Sequence, residues 1–148
     1  MKRLVVLGAG ESGLGAAMLA KREGYAVFVS DGGKIGEARK GQLQTAGIEF
    51  EEGKHDDERI LAADLIIKSP GIPSTVGVVQ QAMQKGISVV DELEFASRYS
   101  KGKVIAITGT NGKTTTTLLT YHLLKEAGWD VGLAGNVGKS WAGQLLDG

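Results

Sequence analysis

The sequence has no cysteine, only two prolines and no long apolar run. Without cysteine the chain has no disulfide bonds and no thiolate metal sites, which fits a cytoplasmic protein. A membrane-spanning helix needs roughly 18 consecutive apolar residues, and no segment approaches that length. The basic, apolar start MKRLVV is similar to a secretion signal, but Gly8, Gly10 and Glu11 interrupt it. We therefore expect a soluble, cytoplasmic protein with no membrane partner.

The sequence also lacks an excess of charge of either sign. Its 148 residues include 17 basic and 17 acidic side chains, which cancel. A nucleic-acid-binding surface would leave a basic excess, so we expect no nucleic-acid partner. Glycine, by contrast, is abundant at 23 residues, about twice its average usage. These glycines cluster at turns that follow apolar runs.

Short apolar runs alternate with helical patterns along the chain, which is typical of α/β proteins with a parallel sheet. Strands are predicted over residues 4–7, 26–30, 48–51, 65–68, 88–90, 104–107 and 130–133. Helices are predicted over residues 13–23, 37–45, 76–85, 92–99 and 114–127, with another starting near residue 138. The acidic stretch 51–58 contains His55 but has no metal-ligand spacing, so we interpret it as a solvated loop.

The segment VIAITGTNGKTTTTLLTYHLL, residues 104–124, carries the strongest functional signal. A β-branched run leads into a glycine turn, followed by Lys113 and four threonines that open a helix. This arrangement predicts a phosphate-binding loop, with Lys113 on the phosphates and a threonine hydroxyl on Mg²⁺. Ile107 occupies the place of the first glycine in the usual pattern, which points to a subfamily.

The threonine run supports a functional interpretation of this loop. Four β-branched residues start a helix poorly, because their χ1 angles are restricted against the preceding turn. Local propensity is often violated where function needs the side chains. The alternative is a purely structural strand-turn-helix whose threonines cap the helix.

A second glycine loop, GAGESG at residues 8–13, follows the first predicted strand and precedes a helix. Asp31 ends the second strand, 18 residues after Gly13, near the offset of a ribose-binding acid. This pattern suggests a dinucleotide such as NAD or FAD. Two plainer interpretations remain open: the glycines serve only strand-helix packing, and Asp31 only heads the turn Asp-Gly-Gly.

Several polar loops follow predicted strands at their carboxyl ends, where parallel α/β sheets bind ligands. Both prolines lie in one of these loops, SPGIP, which we expect to be rigid. The five loops are residues 8–13, Asp31, residues 69–72, residues 109–115 and residues 135–136.

The order GAGESG, Asp31, SPGI, TGTNGKTT and AGNVG resembles the Mur ligases, and among them the enzymes that add D-glutamate. The resemblance covers nearly the whole chain. It implies a Rossmann-like parallel sheet domain over residues 1–91 that binds a UDP-sugar rather than NAD. Residues 92–148 would be the beginning of the central P-loop ATP-binding domain, cut before its remaining strands. We expect residues 1–91 to fold and the remainder to be looser.

The same resemblance implies two sets of site residues. The UDP-sugar would contact residues of the first domain and one of the second: Glu11, Ser12, Asp31, Gly32, Gly71 and Asn136. ATP would be wrapped by Thr110, Asn111, Gly112, Lys113, Thr114, Thr115 and Thr116. Lys113 would act catalytically on the phosphates, and Thr114 would hold Mg²⁺. The family often has a Thr-Arg pair after the aspartate, where this chain has Gly32 and Gly33.

The implied reaction is ATP-driven amide formation between UDP-N-acetylmuramoyl-L-alanine and D-glutamate through an acyl phosphate, by a monomeric enzyme. As it stands, the chain is expected to bind the UDP-sugar without completing the reaction. One alternative is an NAD-dependent oxidoreductase or nucleotide-sensing module, which leaves TGTNGKTT unexplained. Another is a stand-alone P-loop ATPase or kinase, which leaves the first 100 residues unexplained.

Overall fold

A computed structural model describes residues 1–135 and 137–147. Its strands are β1 (Arg3–Leu7), β2 (Ala26–Asp31), β3 (Glu49–Glu52), β4 (Leu65–Lys68) and β5 (Ser88–Val90). Its helices are α1 (Glu11–Arg22), α2 (Glu37–Thr45), α3 (Asp57–Ile60), α4 (Gly77–Gln84), α5 (Glu92–Ser97), α6 (Lys113–Glu126) and α7 (Trp141–Asp147). None of the helices in this described part is long and apolar enough to cross a membrane.

The strands form one parallel sheet in the order β3-β2-β1-β4-β5. Leu7 at the end of β1 is opposite Ser30 of β2 on one side and Lys68 of β4 on the other. The chain winds outward from β1 to β3 and then crosses to the other side for β4. Such a reversal opens a ligand crevice at the carboxyl ends of the strands. This sheet confirms the predicted α/β class.

Alternate residues of the central strand serve two separate core layers. Leu4 and Val6 pack with buried side chains of α1, α2 and α5. Val5 and Leu7 pack with buried side chains of α3 and α4 on the other face. Because helices cover both faces of the sheet, its central strands carry continuous apolar runs, such as residues 4–7 and 65–67, which explains why the sequence predicts them clearly.

The predicted elements of the first 91 residues are confirmed to within two residues, with one exception. The acidic stretch predicted as a loop runs into the short helix α3. The Asp56 carboxylate accepts a hydrogen bond from Arg59 N at 3.1 Å, which caps this helix. Ile60 at its end is fully buried, so burial of one apolar side chain and an N-cap together favour a helical turn here.

The predicted helix of the phosphate-loop segment is confirmed as α6, but the strands predicted over residues 104–107 and 130–133 are wrong. A strand needs a neighbour for its backbone N–H and C=O groups, and no described segment pairs along either run. Val104 and Ile105 are consequently about 60% exposed, at 61% and 63%. Among the described side chains of α6 none is buried.

Helix α7 packs against the first domain. Ala142 is fully buried in the same core layer as Leu4. A Cβ on Gly15 of α1 would overlap the Ser140 hydroxyl, so that glycine permits the close approach. Arg22 of α1 also donates a hydrogen bond to the Leu145 carbonyl at 2.6 Å. The helix predicted near residue 138 thus starts at Trp141 and is attached to the parallel sheet domain.

Candidate nucleotide-binding crevice

The GAGESG loop is shaped by close contacts at two of its glycines. Gly8 has a φ of +90°, and a Cβ there would lie 2.8 Å from the Ser69 hydroxyl. A Cβ on Gly13 would overlap the carbonyl oxygen of Gly8. A Cβ on Gly10, in contrast, would have no heavy atom within 4 Å. Packing therefore explains Gly8 and Gly13, whereas Gly10 faces open space.

The start of α1 presents backbone donors at this open space. Gly10 is the N-cap and provides no side-chain acceptor for the first turn. The first amide N–H groups of a helix lack intrahelical partners and favour an anion. Glu11 is exposed and Ser12 is half-buried at this position. The geometry suits a phosphate or diphosphate approaching Gly10 and Ser12.

Asp31 links two of the predicted loops. Its Oδ2 accepts a hydrogen bond from the backbone N–H of Ala9 at 2.6 Å. Its Oδ1 accepts from the backbone N–H of Gly33 at 2.8 Å. Asp31 thus makes the turn contact of the plainer interpretation and also holds the GAGESG loop. An ionised carboxylate has about four acceptor sites, so lone pairs remain for a ligand hydroxyl.

The loop after Asp31 is held by charged partners on β3 and α2. Glu52 accepts hydrogen bonds from Ile35 N at 2.8 Å and from Lys40 Nζ at 2.8 Å. The bond from Lys40, reinforced by the Ile35 N–H, lowers the pKa of the Glu52 carboxyl. The same bond, with a second one to Glu37, raises the pKa of Lys40. Both groups stay charged near neutral pH and fix the chain that follows Asp31.

The SPGIP loop forms the other wall of the crevice. Ser69 N donates to the Leu7 carbonyl at 3.0 Å, and Ile72 N donates to the Ser69 carbonyl at 3.0 Å. Lys68 Nζ donates to the Ile72 carbonyl at 2.6 Å. These bonds give the loop a defined turn in which Gly71 is exposed.

A polar cluster that the sequence did not predict lies beside Asp31. The hydroxyl of Ser30, which is fully buried, donates to Glu51 Oε1 at 2.6 Å and lies 2.7 Å from His55 Nδ1. The other ring nitrogen, Nε2 of His55, lies 3.1 Å from the position that a Cβ on Gly32 would occupy. His55 therefore covers the glycine that follows Asp31.

The residues predicted to bind ATP lie around the N-terminus of α6. Gly112 is the N-cap, with a φ of +74° that favours glycine. The Lys113 ammonium folds back and donates to the Gly109 carbonyl. Thr110, Asn111, Thr114, Thr115 and Thr116 are exposed. This site could bind a triphosphate with a divalent cation. It offers an uncapped helix N-terminus, a lysine and exposed threonine hydroxyl groups.

The structure brings some of the predicted site residues together and leaves others apart. Glu11, Ser12, Asp31, Gly32 and Gly71 lie on three neighbouring loops at one edge of the sheet. The segments 109–115 and 135–136 do not follow strands, which corrects the prediction of five loops at strand ends. Ser140, beyond the second of these, donates from its backbone N–H to Glu11 Oε1 at 3.4 Å. Asn136 lies outside the described residues.

Comparison with known families agrees with this arrangement. A model for the N-terminal domain of MurD-like Mur ligases matches residues 2–91, and a model for the Mur ligase middle domain matches residues 107–146. The first match alone covers more than half of the chain. The chain belongs to the Mur ligase family, which confirms the resemblance noted in the sequence. Within that family, its N-terminal domain is of the MurD-like type.

Individual relatives indicate the same MurD-like type within the Mur ligase family. The chain is 54% identical over 147 residues to the UDP-N-acetylmuramoylalanine–D-glutamate ligase of Bacteroides fragilis, covering 99% of this chain and 33% of the relative. It is 57% identical over 142 residues to the ligase of that name from Porphyromonas gingivalis, covering 96% and 32%. The chain therefore spans about a third of the length of these relatives.

Solved structures show a similar fold. A murein peptide ligase from Psychrobacter arcticus superposes with a TM-score of 0.62 at 30% identity, over 86% of this chain and 27% of that one. A UDP-N-acetylmuramate:L-alanyl-γ-D-glutamyl-meso-diaminopimelate ligase from Neisseria meningitides gives a TM-score of 0.61 at 27% identity, over 95% and 46%.

Proposed function

We propose that this chain supplies the substrate-nucleotide site and the start of the ATP site of a ligase that adds D-glutamate to UDP-N-acetylmuramoyl-L-alanine. The observation that carries the proposal is the 54% identity, over nearly the whole chain, to a ligase with that name. We assign residues 1–91 to the UDP-sugar-binding domain and residues 92–148 to the beginning of the ATP-binding domain. The enzyme would be a cytoplasmic monomer with small-molecule partners and no nucleic-acid or membrane partner.

In the first domain, the UDP-sugar would lie along the crevice. Its diphosphate would accept hydrogen bonds from the amides at the start of α1, where Ser12 adds a hydroxyl and Glu11 stands at the rim. Asp31 would accept a ribose hydroxyl on a lone pair that Ala9 and Gly33 leave open. Gly32, Gly71 and Asn136 complete the proposed contacts. The three loops that meet at the carboxyl end of β1 support this proposed placement.

In the second part, the residues Thr110 to Thr116 would hold ATP. The backbone amides at the start of α6 and the Lys113 ammonium would bind its phosphates, and the Thr114 hydroxyl would hold Mg²⁺. Bound Mg²⁺ would supply positive charge against the phosphates. Lys113 would exchange its present acceptor, the Gly109 carbonyl, for a phosphate oxygen. Its charge would stabilise the negative charge on the transferred phosphoryl group.

The chemistry explains why two nucleotide sites are needed. A carboxylate is a poor electrophile, so the alanyl carboxylate of the UDP-sugar attacks the γ-phosphorus of ATP and releases ADP. The amine of D-glutamate then attacks the acyl carbon, and inorganic phosphate leaves as the amide bond forms. The D-glutamate site and further catalytic groups would be contributed by parts of the enzyme outside this chain.

An NAD-dependent oxidoreductase is the second candidate, because GAGESG followed by Asp31 fits a dinucleotide. Calorimetric titration of the protein with UDP-N-acetylmuramoyl-L-alanine, and in parallel with NAD, separates the two candidates. We expect saturable binding of the UDP-sugar and none of NAD. Binding of NAD without the UDP-sugar would overturn the ligase proposal.

The Lys113→Ala variant, titrated with Mg²⁺–ATP, should lose ATP affinity while the UDP-sugar affinity stays unchanged.

A further inference from the structure

We propose that His55 reads the base of the substrate nucleotide, with Nε2 accepting a hydrogen bond from the N3–H of uracil. The inference rests on the proposed function, because it concerns the same UDP-sugar. The cluster of Ser30, Glu51 and His55 is built into the crevice edge, and neither the family resemblance nor the expected contacts assign it a role.

The hydrogen bonds of the cluster set the tautomer of the imidazole. The single hydroxyl proton of Ser30 goes to Glu51 Oε1 at 2.6 Å, and Glu51 Oε1 also accepts from Asp56 N at 2.8 Å. Ser30 Oγ can therefore only accept from His55 Nδ1, 2.7 Å away. Neutral His55 then carries its proton on Nδ1 and presents Nε2 as an acceptor. Ser30 and Glu51 are positioning residues for this ring.

The order of the strands places His55 where a base would lie. The diphosphate is expected at the start of α1 after β1, and the ribose at Asp31 after β2. His55 follows β3, the next strand outward, so the three positions run along one edge of the sheet in the order phosphate, ribose, base. Within the described residues Nε2 makes no hydrogen bond to another protein group, so the protein leaves this acceptor unused.

Gly32 makes room for the ring. A Cβ at this position would lie 3.1 Å from His55 Nε2, tighter than an ordinary contact. His55, from the loop that follows β3, thus occupies space that a side chain at position 32 would need.

The chemistry gives a specific preference. Uracil has a hydrogen on N3, whereas N3 of cytosine is itself an acceptor and would oppose the Nε2 lone pair. Discrimination is strong when a mismatched ligand leaves a polar group unpaired. We therefore expect UDP to bind at least about 10-fold more tightly than CDP.

The test is calorimetric titration of the protein and its variants with UDP and CDP. His55→Asn keeps a donor near the Nδ1 position for Ser30 but removes Nε2. It should bind UDP about 3- to 10-fold more weakly and lose most of the preference over CDP. His55→Gln, whose longer amide reaches toward the Nε2 position, should regain part of the preference. His122→Asn, on exposed α6, is the matched control and should behave as the wild type.

Gly32→Ala provides a second variant, in which Ser30, Glu51 and His55 are all unmutated. Its Cβ should displace the ring and reduce the preference for UDP in the same direction. If the ratio of UDP affinity to CDP affinity is unchanged in both His55→Asn and Gly32→Ala, the inference is overturned. The proposed function still stands in that case, provided that the protein binds UDP-N-acetylmuramoyl-L-alanine. Failure of the wild type to bind that UDP-sugar would instead overturn the proposed function and this inference with it.

Discussion

The carboxylate of Asp31 accepts the backbone N–H of Ala9 at 2.6 Å, which ties the end of β2 to the glycine loop after β1. A residue predicted either to face a ligand or to head a turn thus also builds the surface that the ligand would use. The nearby Gly33 N–H occupies the second oxygen at 2.8 Å. Loop shape and ligand binding are consequently coupled through one side chain.

Asp31→Asn should therefore weaken both stability and binding. Loss of the charged acceptor should lower the free energy of unfolding by about 1–2 kcal/mol and the UDP-sugar affinity by about 10-fold. Denaturant unfolding and calorimetry measure the two effects. Asp64→Asn is the control, because Asp64 accepts Arg3 N at 2.7 Å at the opposite, amino-terminal edge of the sheet. A similar loss of affinity in Asp64→Asn would show that the effect at Asp31 reflects stability alone.

The contact between Gly13 and Gly8 predicts that alanine lowers stability far more at position 13 than at position 10 of the same loop. In Gly13→Ala the new methyl group overlaps the Gly8 carbonyl, so we expect destabilisation of about 3 kcal/mol or more. Gly10→Ala adds a methyl group in open space at the N-cap and should cost less than about 1 kcal/mol. Thermal or denaturant unfolding measures both. Equal stabilities of the two variants would mean that the loop is not packed as described.

We predict that the Glu92 side chain holds α7 against the first domain. This carboxylate, only 4% exposed, accepts hydrogen bonds from Ser140 Oγ at 2.9 Å and from Ala142 N at 2.6 Å. Glu92→Gln should weaken both, so amide exchange of residues 141–147 should accelerate about 10-fold. In the wild type, α6 should already exchange faster than α1, since α6 has no buried residue among those described.

Glu94→Gln is the matched control for this exchange measurement. Glu94 lies on the same short helix, and its carboxylate forms an exposed pair with Arg98 at 2.9 Å. Such surface pairs contribute little, so exchange in α7 should not change. Uniform protection of α1, α6 and α7 in the wild type would speak against a looser second part of the chain.

We predict that deprotonation of Tyr99 lowers the free energy of unfolding in alkali. Burial, together with a hydrogen bond to Tyr25, raises the pKa of the Tyr99 phenol to about 12 from its ordinary value of 10.0. The folded state therefore keeps a proton that the unfolded chain releases near pH 10. This contribution to stability is complete below pH 10 and disappears as the pH rises toward 12. Tyr99→Phe should flatten the fall of unfolding free energy over that range, and an unchanged slope would contradict the assignment.

Much of the first domain could be predicted from local pattern. Strands such as residues 65–68 are short apolar runs between turn residues, and both of their faces are buried, so the sequence marks them clearly. The place of Asp31 beside the glycine loop could be predicted from its sequence offset after that loop. These features are local, and a parallel sheet repeats them at each strand.

The rest depended on partners that no local pattern reveals. Ser30 meets Glu51 because the two residues are register partners on β2 and β3, and His55 reaches them from the following loop. Residues 104–107 have the composition of a strand, but no described neighbour pairs with them. Helix α7 was assigned to the second half, yet it packs against α1 of the first domain as well as against α5.

The most direct measurement is nuclear magnetic resonance mapping of backbone amides during titration with UDP-N-acetylmuramoyl-L-alanine. We predict saturable shifts at Ala9, Ser12, Gly32 and Gly71, and none at Asp64 on the opposite edge of the sheet. Such a pattern would place the UDP-sugar in the crevice at the carboxyl end of β1. Shifts confined to Thr110–Thr116, or none under saturating ligand, would contradict a substrate-nucleotide site in the first domain.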